Sequence, residues 1–256
     1  MQHIEGKTIL ITGASSGIGE ACARLFASNG AKLILCARRT QRIEQLAAEL
    51  NRLNTVACLS VSLDVRVKEE VEQVLGSLPS AWQSIDVLIN NAGLALSSDS
   101  IQQGSFENWD RMIDTNVKGL LYVSRCVLPG MLERGRGHIV NIGSIAGYEC
   151  YPGGNVYCAT KHAVRAITKS MRLDLLGSPI RVTEIAPGAV ETEFSEVRWG
   201  DKKKAQAFYQ DFTPLLADDI ADAAYYCITR PPHVDIAEMT VMPTVQASAT
   251  HIYRSK

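Results

Sequence analysis

The sequence is short of several things, and each shortage excludes something. None of its apolar stretches approaches the roughly 20 residues needed to span a bilayer. Residues 1–6 carry Glu5 and no apolar core, so they do not read as a secretory signal. Charge of one sign is also missing: 26 Lys and Arg against 27 Asp and Glu leave a formal net charge of −1. That balance gives no electrostatic footprint for nucleic acid or an anionic membrane. The densest basic patch, Lys202, Lys203 and Lys204, reads as the solvated start of a helix. The seven cysteines (Cys22, Cys36, Cys58, Cys126, Cys150, Cys158 and Cys227) include no C-x-x-C pair. An odd count without a framework points to reduced thiols in a cytoplasmic, cytosol-like compartment. No metal site is expected. No repeat, low-complexity segment or linker interrupts the chain, and 46% hydrophobic with 21% charged residues suits one globular domain over residues 1–256.

What is present alternates. Residues 7–12 (KTILIT) form a β-rich run, followed by a glycine-rich turn and an amphipathic segment over 19–29. Further strands are expected at 32–37, 55–63, 85–90, 138–142, 180–185 and 237–242. Helical patterns fill 41–53, 67–78, 106–133, 155–176 and 218–229. Strands with few charges, separated by helix-length segments, mean an α/β fold: a doubly wound, Rossmann-type parallel sheet with helices on both faces. The stretch 187–201 lacks a strong period and reads as a long irregular binding loop or lid.

Between the first strand and first helix lies Thr12-Gly13-Ala14-Ser15-Ser16-Gly17-Ile18-Gly19. Its glycines permit a tight turn and close backbone approach to a pyrophosphate seated on the helix N-terminus. Gly13, Ser15, Ser16, Gly17, Ile18 and Gly19 are therefore candidate cofactor residues. The second strand ends in Ala37-Arg38-Arg39, where an NAD site places an acid for the ribose 2′-hydroxyl. Two guanidiniums can instead pair with a 2′-phosphate, which favours NADP, with Arg38 the expected main contact. Asp64 and Val65, past the third strand, can flank an adenine. Asn90, Ala92 and Gly93 lie at the carboxyl end of the fourth strand, where such ligands bind. An ordinary turn explains either of these two motifs equally well.

Tyr157 and Lys161 stand four residues apart on one expected helix, so both face the same way. A nearby ammonium favours tyrosinate, which brings Tyr157 toward use as a general acid or base. Ser144 follows the fifth strand, where its hydroxyl can bind a substrate oxygen. Asn116 is a polar residue in an apolar stretch. It fits either a satisfied core amide or an anchor for a water leading to Lys161.

Taken in order, Gly13-x-x-x-Gly17-Ile18-Gly19, Asn90-Asn91-Ala92-Gly93, Asn116, Ser144, Tyr157-x-x-x-Lys161 and Pro187-Gly188 resemble the short-chain dehydrogenase/reductases over nearly the whole chain. The resemblance implies a seven-stranded sheet, a homotetramer and a set of roles. Tyr157 exchanges the hydroxyl proton and Ser144 holds the carbonyl oxygen. Lys161 binds the nicotinamide ribose, and Asn116 anchors a relay water. Pro187, Gly188, Val190 and Thr192 border the nicotinamide, with Thr192 at its carboxamide. The segments NNAGLAL, YPGGNVY, VETEFSEVR and PTVQAS further resemble the NADP-dependent 3-hydroxy acid dehydrogenases, which include serine and allo-threonine dehydrogenases and malonic semialdehyde reductases. This implies a small acid as substrate. Its carboxylate would need a cation, which Arg198 offers, and Gln246 can add an amide donor. Two alternatives are a sulfonate-aldehyde or neutral carbonyl reductase of the same family and a non-catalytic NADP-binding scaffold.

Overall fold

The period-two alternation of the strands decides the layering. In the computed structural model, which describes residues 3–53 and 56–255, Ile9 and Ile11 of β1 (Thr8–Thr12) join one buried cluster while Leu10 joins another. In β2 (Lys32–Ala37) Leu33 and Leu35 face the first cluster, and Ile34 and Cys36 the second. A sheet apolar on both faces needs cover on both. Helices α1 (Gly17–Ser28), α2 (Thr40–Leu53) and α9 (Ala217–Ile228) close the first face through Phe26, Ile43 and Ile220. The second is closed by α3 (Lys68–Gly76) and α5 (Leu120–Glu133) through Val71, Val123, Val127 and Met131.

The remaining strands are β3 (Cys58–Ser62), β4 (Val87–Asn90), β5 (Gly137–Ile142), β6 (Ile180–Pro187) and β7 (Glu238–Val241). All pairings are parallel, in the order β3-β2-β1-β4-β5-β6-β7. The order reverses between β1 and β4, which opens the crevice where such sheets bind ligands. This is the doubly wound sheet read from the pattern. Of the third strand's expected span, Thr55 lies outside the described residues.

Two segments differ from the pattern reading. Residues 106–133 are not one regular helix: α4 (Phe106–Ile113) and α5 flank a π-helical segment, Asp114–Gly119. The stretch 187–201 is not wholly irregular either, because it contains α7 (Glu193–Trp199). Thr192 caps that helix by accepting from Phe194 N at 3.3 Å, and Gly200 ends it in the left-handed region at φ 62°. The lysine run does open a helix, α8 (Lys202–Phe208), capped by Asp201. Among the described residues no helix is long and apolar enough to cross a membrane.

Candidate active site

Everything named from the sequence gathers at the carboxyl ends of the strands, around a cavity of about 730 Å³. Only Gly19, Asn90 and Asn116 of those residues stay off its wall. The glycine turn shapes one end. Gly13 and Gly17 take φ 68° and 54°, which other residues rarely adopt. Gly19 acts from behind, since a methyl group there would collide with the Gly13 carbonyl and the Asn91 amide. Thr12 Oγ1 accepts from both Asn91 N and Ala92 N at 3.0 Å, tying the β4 exit to the turn. Asn90 is used within the sheet, where its amide donates to Ser124 Oγ and Asn141 Oδ1 at 2.9 Å.

The two arginines after β2 stand differently. Arg38 is exposed on the cavity rim. Arg39 is already engaged: it donates to Ser15 Oγ (3.0 Å), Ser16 Oγ (2.5 Å) and Glu193 Oε2 (2.7 Å). Arg42 holds the same carboxylate at 2.7 Å. Against the upward push of burial, these guanidiniums keep the Glu193 carboxyl below its ordinary range. An acid absent from the β2 end in sequence thus arrives from α7, a pairing that spacing does not reveal. Asp64 is held by Arg66 at 2.6 Å, beside Val65 on the same wall.

The other end carries the proton-transfer groups. Helix α6 (Asn155–Asp174) buries Tyr157, Lys161, Val164 and Thr168, one face at helical spacing. Ser144 leaves β5 in extended backbone and caps the short 3₁₀ turn Ile145–Gly147. Lys161 Nζ donates to Ile142 O at 2.9 Å and lies 6.0 Å from the Tyr157 ring centre. The π segment lodges Asn116 so that its amide clasps Leu94 N and O at 2.8 Å and donates to Thr160 Oγ1 at 3.0 Å. Asn116 therefore fixes the β4 exit against α6. Gly93 lies between its Oδ1 and Lys161 Nζ: a Cβ there would sit 3.4 and 3.6 Å from them.

Burial dominates both titrating groups. It lowers Lys161 from 10.5 to about 8, with Glu184 pulling the other way. It raises Tyr157 well above 10, aided by Tyr151 and opposed by Ser144 and Arg198. In the free protein burial outweighs any pull of Lys161 on Tyr157, and the ammonium donates to the Ile142 carbonyl. Arg198 comes from α7 to this end, 5.9 Å from the Tyr157 ring centre, and donates to the Tyr151 hydroxyl at 3.2 Å. Its buried Nε has no partner. Phe194 tilts against Tyr157 at 5.7 Å. Neither Tyr151 nor Phe194 was singled out from the sequence, although both lie in segments that carry the resemblance.

Gln246 lines the same wall with much of its amide in use: Oε1 accepts from Ala189 N (2.8 Å) and Nε2 donates to Ser248 O (3.1 Å). The tail beyond it folds back on its own chain through a Gln246–Ile252 bridge. Ser255 N donates to Asp211 O, and Arg254 to Gln210 O.

A glycine-lined turn at the break in strand order, with a serine, tyrosine and lysine at the neighbouring strand ends, defines a dinucleotide-dependent oxidoreductase site. The short chain dehydrogenase family matches residues 7–203, and this chain belongs to it. Among its relatives, the NADP-dependent 3-hydroxy acid dehydrogenase YdfG of Salmonella typhi is 49% identical over 94% of this chain and 96% of its own. Sulfoacetaldehyde reductase 2 of Chromohalobacter salexigens is 47% identical over 93% and 95%. A solved structure, the closed form of serine dehydrogenase complexed with NADP+, superposes with a TM-score of 0.91 at 45% identity, covering 97% of this chain and all of that one.

Proposed function

We propose that this protein transfers hydride between NADP(H) and the 3-hydroxyl of a small 3-hydroxy acid or hydroxy amino acid, or its semialdehyde or ketone in reverse. The residues present fit the cofactor. Gly13 and Gly17 line the cavity with backbone in the left-handed region, which suits close approach of a pyrophosphate to the turn, and Arg38 and Arg39 offer guanidiniums at the 2′-phosphate position. Asp64 and Val65 border the adenine, Ala92 and Gly93 the ribose, and Pro187, Gly188, Val190 and Thr192 the nicotinamide. Bound NADP+ supplies the hydride acceptor. The chain's own part is proton handling and orientation. In oxidation the Tyr157 hydroxyl, as its anion, takes the substrate's 3-hydroxyl proton, and Ser144 Oγ steadies that oxygen. Lys161 holds the ribose and favours the tyrosinate by its charge, and Asn116 keeps the β4 exit and α6 in register for both.

The observation that carries the acid as substrate is Arg198: a guanidinium beside Tyr157 with a buried, unpartnered Nε. A carboxylate one carbon removed from the reacting centre would satisfy it, and Gln246 lines the same cavity. Arg198→Ala is expected to raise KM for 3-hydroxy acids about 10- to 100-fold, the worth of charge-assisted hydrogen bonds, and to leave neutral alcohols nearly unchanged. Equal losses on both would remove Arg198 from the role. A sulfonate would use the same cation, and the sulfoacetaldehyde reductase relative favours testing it as a second substrate class. Serine, allo-threonine, 3-hydroxypropionate, 3-hydroxybutyrate and hydroxyalkyl sulfonates form the panel. Tyr157→Phe is expected to lower kcat about 10²- to 10⁴-fold with NADP+ still bound; surviving turnover would mean another base, and no turnover in the wild type across the panel would leave the scaffold.

The proposal includes one domain over residues 1–256, a homotetramer and a cytoplasmic location. Exposed Phe106, Ile113 and Leu121 on α4 and α5 support association. The seven free thiols support a reducing compartment. Light scattering of the purified chain tests the oligomer.

A further inference from the structure

Glu184 is fully buried in β6, and neither of its carboxylate oxygens has a hydrogen-bond partner. Such a group is among the most destabilising a fold can carry. Its surroundings suggest a use. The carboxylate packs against Gly143, where a methyl group would collide with Oε1. Gly143 follows Ile142, whose carbonyl receives the Lys161 ammonium at 2.9 Å. One residue further stands Ser144. The acid therefore lies directly behind the segment that carries Ser144 and receives the Lys161 ammonium.

The charged neighbours divide in two. From α6 come Lys161, Arg165 and Lys169, from β7 comes Glu238, and Tyr148 follows the 3₁₀ turn. Glu238 already holds Lys169 at 3.0 Å and Arg165 at 3.6 Å, and it accepts from the Tyr148 hydroxyl at 3.0 Å. Arg165 also stacks on the Tyr148 ring at 3.8 Å. The outer cations share Glu238 as their anion, although the buried Nε of Arg165 has no partner and its charge also steadies Glu184. Lys161, the inner one, has a neutral carbonyl as its described hydrogen-bond partner.

We infer that Glu184 is a positioning residue for the reaction proposed above: its buried negative charge keeps Lys161 an ammonium and so keeps the Tyr157 anion accessible. Burial and the Glu238 charge raise the Glu184 carboxyl to about 7, so it becomes ionised as pH climbs toward the range in which Lys161 begins to lose its proton. The two groups support each other from about pH 7 upward. Because the folded value of Glu184 lies above its ordinary 4.5, its contribution to stability is complete below that value and is lost as pH rises toward 7.

The test compares wild type with Glu184→Gln and Glu184→Asp. Lysine-selective ¹⁵N NMR, with Lys161→Met to assign the signal, follows the Lys161 titration without substrate. Glu184→Gln is expected to move that titration down by about one unit, the order of a single buried charge. It should also move the alkaline-favoured limb of NADP+-dependent oxidation upward. Glu184→Asp should return both toward wild type. Thermal unfolding should find Glu184→Gln more stable than wild type at pH 8 and nearly equal at pH 5. An unmoved Lys161 signal, or a variant less stable at every pH with an unshifted rate profile, overturns the role. The NMR readout stands even if the substrate proves to be another class, so the two failures are distinct.

Discussion

At neutral pH Lys161 carries a charge that burial opposes. Its folded value, about 8, lies below its ordinary 10.5. Its contribution to stability is therefore present above about pH 10.5 and lost as pH falls through 8. The shift corresponds to about 3 kcal/mol. Lys161→Met is expected to raise Tm at pH 7 and much less at pH 10, while turnover collapses at both. Calorimetric scans at the two pH values check this; a gain independent of pH would assign the effect to packing. Tyr157, Lys161 and Ser144 were legible in the sequence because strand ends and helical spacing place them. Glu184 and Glu193 were not. No local pattern tells a buried acid from a strand's solvated edge, or brings a carboxylate from residue 193 to the end of β2.

Helix α7 shows what seven residues can hide. Two turns are too few for a 3.6 period to emerge, so the stretch read as loop. Its boundaries were nonetheless written in Thr192 and Gly200, a capping hydroxyl and a left-handed glycine. The π segment left no such mark, since an extra residue in a helical turn does not alter composition. Gly200→Ala, at φ 62°, should cost about 1 kcal/mol, or a fall in Tm of about 2–4 °C. Because α7 carries Arg198, KM for acids should rise with it. A variant with a lowered Tm but wild-type KM would show that the helix end does not set the arginine.

Across the whole molecule, the sheet was read almost completely from its alternation, because a layer buried on both faces leaves little freedom in residue type. The link between its two ends was not. Glu193 occupies Arg39 and Arg42, and the partners are more than a third exposed, so each contact contributes under about 1 kcal/mol. Glu193→Gln is expected to tighten NADP+ binding about two- to five-fold at low salt and by less at 0.5 M salt. Calorimetric titration reads both; weaker binding in the variant would mean that the acid orders the arginines rather than competing for them.

The Arg39–Glu193 contact also concerns time. While it stands, the helix bearing Arg198 is tethered to the far rim of the cavity by two arginines; a 2′-phosphate that takes Arg39 loosens the tether and leaves Arg42 alone to hold it. Catalysis would then follow a compulsory sequence, dinucleotide before hydroxy acid. NADPH should compete with NADP+ alone, and the carbonyl product should inhibit non-competitively against both substrates. Competition between carbonyl product and hydroxy acid would instead reveal random arrival.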